Sequence, residues 1–172
     1  MPDIKAILKA AKPRERTVTV CVDGALMGEI ERLEAEVGRV SEDWQPTDLT
    51  SQHPAAELSA KIAELRAKAR EAEVPFLLRY IGDEKYSSML AAHPPENPEE
   101  GFDSTTFPRA LIAASCVDPA MSEDDVKALF EVLNQGAIKD LFDAAWDVHN
   151  SSSLVPFSLA ASALLAALGG EK

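Results

Sequence analysis

The segment FPRALIAASCVDPAMSEDDVKALFEVLNQGAIKDLFDAAWDVHN, residues 107–150, decides the fold because it predicts three short amphipathic helices in a row. Pro108 suits the first turn of a helix, where its missing N–H costs no hydrogen bond. Either of two threonines just before it can cap that end. Pro119 ends the run, because the residue before a proline is pushed out of helical conformation. The first predicted helix therefore covers residues 107–117.

The second and third helices of this segment have equally clear start signals. Ser122 and Asp125, three residues apart, form a shortened capping box, and residues 123–125 place three acids on the positive end of the helix dipole. The sequence Asn-Gln-Gly at 134–136 then separates the two helices. Apolar residues recur at helical spacing in both helices: Val126, Leu129, Phe130 and Leu133, then Ile138, Leu141, Phe142 and Ala145.

The N-terminal half predicts a short helix, then two strands with a helical hairpin between them. Residues 16–22 and 74–81 alternate apolar and polar side chains with the period of a strand. Pro75 cannot donate a ladder hydrogen bond, so we expect the second strand to lie at a sheet edge. Between the strands, two seams of average period 3.5 indicate an antiparallel coiled-coil hairpin: Leu26, Ile30, Leu33, Val37 and Val40, then Leu58, Ile62, Leu65, Ala69 and Ala72.

These elements predict a mostly helical α+β fold. We expect a strand–helical hairpin–strand module over residues 1–93, with a helix after its second strand. An acidic, proline-rich linker over residues 94–105 leads to the three-helix module of residues 106–150. An apolar tail over residues 151–172 completes the chain.

Composition limits the classes of function. The chain has 172 residues, 46% of them hydrophobic, and a net charge of −12. Nucleic-acid affinity comes mainly from lysine and arginine displacing counterions, so we expect neither nucleic-acid binding nor attraction to an anionic membrane. The first residues alternate charged and apolar side chains, unlike a signal peptide, which predicts a cytoplasmic protein.

No catalytic, cofactor or metal site is predicted. The three histidines, His53, His93 and His149, have neither helical pair spacing nor cysteine neighbours at metal-site spacing. Cys21 and Cys116 lie among apolar residues, where free cysteine behaves as a small hydrophobe. A Cys116 nucleophile would need an activating environment that the sequence does not indicate.

The motifs TFPRALIAA (106–114), LFDAAW (141–146) and VHN (148–150), with an acidic helix after Asp118-Pro119, resemble the tail assembly chaperones of long-tailed phages and prophages, chiefly those of actinobacterial phages. The resemblance covers residues 102–157 most clearly and extends more loosely back to Arg16. The family usually has asparagine directly after the last valine of the third helix, where this chain has His149.

The resemblance implies a function in tail assembly in the cytoplasm of the bacterial host. Such chaperones bind the tape-measure protein, keep its long hydrophobic helices soluble and help recruit tail-tube proteins, and they leave before the virion is complete. The alternative is a structural tail or head–tail connector protein that stays in the virion. An edge strand and a coiled-coil seam would also suit a homo-oligomer.

The candidate partner-binding residues lie mainly in the tail. Residues 154–168 carry no charge and are too few to span a bilayer, for which about 20 residues are needed. This segment either forms the last core helix or offers its apolar face to another protein, and the three serines before it favour the second interpretation. Trp44, in a polar loop, is a further candidate. The predicted tail contacts are Phe157, Leu159, Leu164, Leu165 and Leu168.

Overall fold

The computed structural model describes residues 3–42, 44–45 and 53–151, and these form seven helices and three strands. The mostly helical α+β class is confirmed. In chain order the elements are α1 Ile4–Ala10, β1 Glu15–Cys21, α2 Gly24–Glu42, α3 Ala55–Glu71, β2 Glu73–Arg79, α4 Asp83–Ala92, α5 Phe107–Ser115, β3 Cys116–Asp118, α6 Glu123–Phe130 and α7 Gln135–Asn150.

The predicted ribbon is present, with β1 and β2 antiparallel and Val18 opposite Phe76. The predicted edge position of the second strand is wrong, because β2 is the middle strand of a sheet ordered β1-β2-β3. Pro75 is tolerated there because β3 pairs only with Leu77 and Leu78 and does not reach it. The proline ring therefore displaces no hydrogen bond of the second ladder.

The first two residues of β3, Cys116 and Val117, lie in the stretch that the sequence assigned to the first helix of the three-helix segment. That helix ends at Ser115, whose hydroxyl donates to the Leu111 carbonyl at 2.6 Å. Cys116 then pairs with Leu78 across the sheet. Thr106 occupies the predicted N-cap position, but its side chain makes no capping hydrogen bond. The Asp103 carboxylate accepts the Thr106 N–H at 3.1 Å.

One hydrophobic core contains residues from both predicted modules. Phe76 and Leu78 of the ribbon belong to the same buried cluster as Phe107 and Leu141 of the three-helix segment. Phe102 of the predicted linker packs against Phe107, with 4.5 Å between the ring centroids. The predicted linker at residues 94–105 therefore separates two segments of the sequence, but both segments contribute to this core.

The helical hairpin has a smaller core of its own. Ile30 and Leu33 of α2 pack on Ile62 and Leu65 of α3. The Val22 N–H donates to the Ala72 carbonyl at 3.1 Å, which joins the start of α2 to the end of α3. The two helices therefore run in opposite directions out of the ribbon, as their matching seams predict.

The capping box at the start of α6 gives a stability prediction. The Ser122 hydroxyl accepts the Asp125 N–H at 3.2 Å, and the Asp125 carboxylate accepts the Ser122 N–H at 2.8 Å. We expect Ser122→Ala to lower the free energy of unfolding by about 1 kcal/mol, because it removes one of these bonds from the helix end. Urea denaturation measures the loss, with Ser88→Ala on the exposed side of α4 as the control. Equal stabilities of the two variants would contradict a contribution from the cap.

Candidate functional site

The predicted tail contacts Phe157, Leu159, Leu164, Leu165 and Leu168 all lie outside the described residues. Trp44 is described and is half-buried, with its ring centroid 4.5 Å from that of His53. The His53 ring is itself fixed, because its Nδ1 accepts the Ala55 N–H at 3.1 Å at the start of α3. Trp44 therefore packs across the two ends of the hairpin connection and still exposes part of its ring.

A concave surface between α5, α6 and α7 is the best candidate for a partner-binding site among the described residues. It is a cavity of about 490 Å³, lined by four apolar residues and six polar or charged ones. Phe130 of α6 and Phe142 of α7 form much of its apolar wall. Aromatic side chains and arginine are enriched in protein–protein interfaces, and this cavity combines both within a polar rim.

Arg109 is the distinctive polar group of this α5–α7 cavity. Its guanidinium carbon lies 5.9 Å from the centroid of the Phe130 ring, within the range of a cation–π contact. Its Nε atom is buried and has no hydrogen-bond partner among the described residues. A buried donor without a partner costs free energy, and the guanidinium also carries a positive charge with which the carboxylate of an incoming protein would pair in the cavity.

The other charged groups of the cavity are less available. The Lys139 ammonium is paired with the Asp143 carboxylate one turn further along α7, and this pair raises the pKa of Lys139. Glu131, the residue that follows α6, adds a negative charge to the lining. Arg109 is therefore the group best placed to attract an acidic side chain into the cavity.

The sequence prediction did not include Arg109 or this cavity. The only hint in the sequence was that Arg109 is a single basic residue within the apolar run of α5. It lies in the motif that carries the family resemblance. The cavity exists only because three helices converge, and helical periodicity gives no information about the angles at which they pack.

His149, the position where this chain departs from the family pattern, joins α7 to α4 and to the turn between β2 and α4. Its Nδ1 donates to the Ala145 carbonyl at 2.7 Å, and its Nε2 accepts the Ile81 N–H at 3.3 Å. Its ring stacks on Tyr86 with 4.8 Å between centroids. Both nitrogens are used by a neutral imidazole, so this histidine holds the fold together and presents no free nitrogen to a ligand.

The environment of His149 makes stability depend on pH. Burial lowers the pKa of His149 below its ordinary value of 6.5. The unfolded chain therefore binds this proton more readily than the folded one, so this contribution is fully present above about pH 6.5 and is lost as the pH falls through the folded pKa.

We expect the free energy of unfolding to fall on acidification more steeply in the wild type than in His149→Gln. Urea denaturation across this pH range measures the difference, and His53→Gln provides the matched control. If His149→Gln and the wild type keep the same pH dependence, the contribution assigned to this imidazole does not exist.

The remaining chemistry-bearing groups are dispersed. Within residues 3–42, 44–45 and 53–151, no three His, Cys, Asp or Glu side chains are grouped to hold a metal ion. Cys21 and Cys116 are both free thiols. Burial raises the pKa of Cys116, and its Sγ donates to the Pro119 carbonyl at 3.1 Å, so the thiol form predominates near neutral pH.

No helix in the described part of the chain combines the length and apolar character needed to cross a membrane. Comparisons with protein family models, curated proteins and solved structures found no match to this chain.

Proposed function

We propose that this protein is a phage tail assembly chaperone that binds the tape-measure protein, keeps it soluble and promotes assembly of the tail tube. The observation that carries the proposal is the α5–α7 cavity, which is built from the same stretch of sequence that resembles these chaperones. The cavity offers two aromatic side chains and the positive charge of Arg109 within a polar rim, which suits an amphipathic helix bearing an acidic residue.

The charge of the chain supports this function. A chaperone must cover the apolar face of an aggregation-prone client. The resulting complexes must also repel one another in order to stay in solution. The net charge of −12 provides that repulsion, while the apolar surfaces provide the affinity. Apolar contacts between client molecules are replaced by contacts between the client and the chaperone. This exchange requires no covalent step.

The proposal assigns the protein to the cytoplasm of the bacterial host, where tails assemble. Its partners are the tape-measure protein and, through it, the tail-tube protein. The tail residues 157–168 and Trp44 remain the predicted contacts beyond the cavity.

Co-expression with a tape-measure protein from the same phage or prophage tests the proposal. We expect the client to move from the insoluble to the soluble fraction and to co-purify with the chaperone. We expect mass spectrometry of finished virions to detect no copy of this chain. A chain that is abundant in virions would instead be a structural tail or head–tail connector protein.

The cavity makes a specific prediction within that experiment. We expect Arg109→Ala to weaken client binding roughly tenfold, which corresponds to the loss of about 1.4 kcal/mol from a buried charge-assisted contact. The fold should persist, because the change removes a buried donor that has no partner among the described residues. Isothermal titration with a tape-measure fragment measures the affinity.

Lys127→Ala is the matched control for Arg109→Ala, because it removes a positive charge from the exposed side of α6, outside the cavity. If both variants weaken binding equally, general electrostatic attraction explains the contact. The cavity would then not be the client site.

A further inference from the structure

The strand β1 presents an open edge of the sheet. Among the described residues its one partner strand is β2. The Val22 N–H donates to the Ala72 carbonyl, and the Arg14 carbonyl accepts the Tyr80 N–H at 2.9 Å. Backbone groups alternate in direction along a strand, so residues 16, 18 and 20 also face β2. The N–H and C=O groups of residues 15, 17, 19 and 21 therefore point away from the sheet.

Helix α1, just before this strand, presents an apolar face to solvent. Ile4 is 61% exposed, Ile7 48% and Leu8 68%, and the helix contains no buried residue. These three side chains lie on one face of the helix because of their spacing. Lys5 and Lys9 flank that face with positive charge.

A second cavity, of about 520 Å³, lies beside the α2–α3 hairpin, where β1 runs into α2. Met27 and Ile30 give it an apolar wall. Its charged lining residues are three acids and two bases, a balance of −1, and one acid is paired with one base at 2.6 Å: Glu31, Glu34, Glu73, Arg66 and Arg70, with Arg66 paired to Glu34. The apolar face of α1 and this α2–α3 cavity are suited to each other in polarity and in sign of charge. Within one chain, however, they lie at opposite ends of β1, which is about 20 Å long.

We propose that two copies of this chain associate through their β1 strands, paired antiparallel about Val18, and that α1 of each copy packs its apolar face into the α2–α3 cavity of the other. The two sheets join into one sheet of six strands. This dimer needs no client to form, and its existence does not depend on the proposed chaperone function.

The register follows from the outward-facing groups. Antiparallel pairing centred on Val18 places residue 15 opposite residue 21 and residue 17 opposite residue 19, so all four outward residues of each strand form bonded pairs. The two Val18 side chains meet on the inner face of the sheet. The sequence of β1 is therefore complementary to itself, which a two-fold interface requires.

The same pairing brings the helix to its cavity. Antiparallel strands place the start of one β1, where α1 is attached, beside the end of the other, where the α2–α3 cavity lies. Parallel strands would place the two helices at the same end, away from both cavities. One arrangement thus accounts for the open edge, the exposed helix face and the position of the cavity.

Electrostatics also favours this surface over the rest of an acidic protein for contact between two copies. The strand β1 contains one acid and one base, Glu15 and Arg16, so the centre of the interface carries no net charge. Residues 3–16 contain five bases and two acids, a balance of +3, in a chain of net charge −12. The charged lining of the cavity has a balance of −1, so its contact with the positive α1 segment is weakly attractive, whereas most other contacts between copies would be repulsive.

Sedimentation of the full chain tests the association. We expect a species of twice the 18.5 kDa mass of the chain that dissociates on dilution. We expect Thr17→Pro to abolish this dimer, because it removes an outward N–H and leaves the hydrogen bonds to β2 intact. The matched control Thr17→Ala should remain dimeric. Ile7→Asp together with Leu8→Asp should also give a monomer, and circular dichroism should show that both variants stay folded.

Cysteine cross-linking tests the register directly. We expect Val18→Cys to form an intermolecular disulfide on mild oxidation, because opposed residues at a non-hydrogen-bonded pair lie within reach of one. Thr19→Cys is the control, since it is more exposed but does not meet its own copy in this register. A chain that is monomeric at every concentration, or a dimer that persists in folded Thr17→Pro, would overturn the proposal. So would equal cross-linking of the two cysteine variants.

Discussion

Phe107→Ala is expected to lower the free energy of unfolding by about 3–5 kcal/mol, a large part of the stability of a domain of this size. The Phe107 side chain is 0% exposed, and its ring packs against Phe102 and, edge-on at 6.2 Å between centroids, against Tyr86. Truncation removes this apolar surface and leaves a void that the surrounding helices cannot fill completely.

The same variant tests whether the ribbon and the three helices unfold as one unit. Phe107 lies in the core that also contains Leu78 of the ribbon. We therefore expect Phe107→Ala and Leu78→Ala each to shift one common transition, seen equally by circular dichroism and by tryptophan fluorescence.

Val132→Ala is the control for these core variants, because that side chain is 74% exposed and its truncation should change the stability by less than about 0.5 kcal/mol. If Phe107→Ala shifts only one of two separate transitions, the two segments are independent folding units despite their shared core.

Periodicity predicted most of the elements because most of them pack through one face. The seams of α2 and α3 and the alternation of β1 and β2 each mark such a face. The capping signal at Ser122 was equally informative, because the bonds of a capping box lie within four consecutive residues.

The features that the sequence did not reveal depend on long-range contacts. The strand β3 has three residues, and Cys116 adopts extended backbone because it pairs with Leu78, which lies far away in the sequence. Its apolar residues continue the spacing of α5, so pattern alone favours the helix. Tertiary pairing overrides local preference in such short segments.

The α5–α7 cavity was missed for a related reason. Apolar spacing identified Phe130 and Phe142 as core residues, and both are partly buried against the core. The geometry of three converging helices determines that they also form the wall of a cavity beside Arg109. Sequence patterns assign side chains to a helix face, but they do not determine how deeply that face is covered.

Leu164→Asp combined with Leu168→Asp is expected to reduce client binding by roughly 100-fold or more while leaving the free energy of unfolding unchanged. Burial of an ionised carboxylate in an apolar contact costs several kcal/mol, and each 1.4 kcal/mol corresponds to a tenfold loss of affinity. These two leucines share the four-three-four spacing of the uncharged segment 154–168, so the substitutions change one predicted face.

The matched control is Ser152→Asp with Ser162→Asp, which adds the same charge to the same tail and keeps every leucine. We expect this control to bind the tape-measure protein as the wild type does in a co-purification assay. If both double variants lose binding, the added negative charge alone is sufficient to abolish it. The leucine face would then not be the contact. If the leucine variant unfolds, the segment belongs to the core of this protein, because a face reserved for a partner contributes nothing to the stability of the free chain.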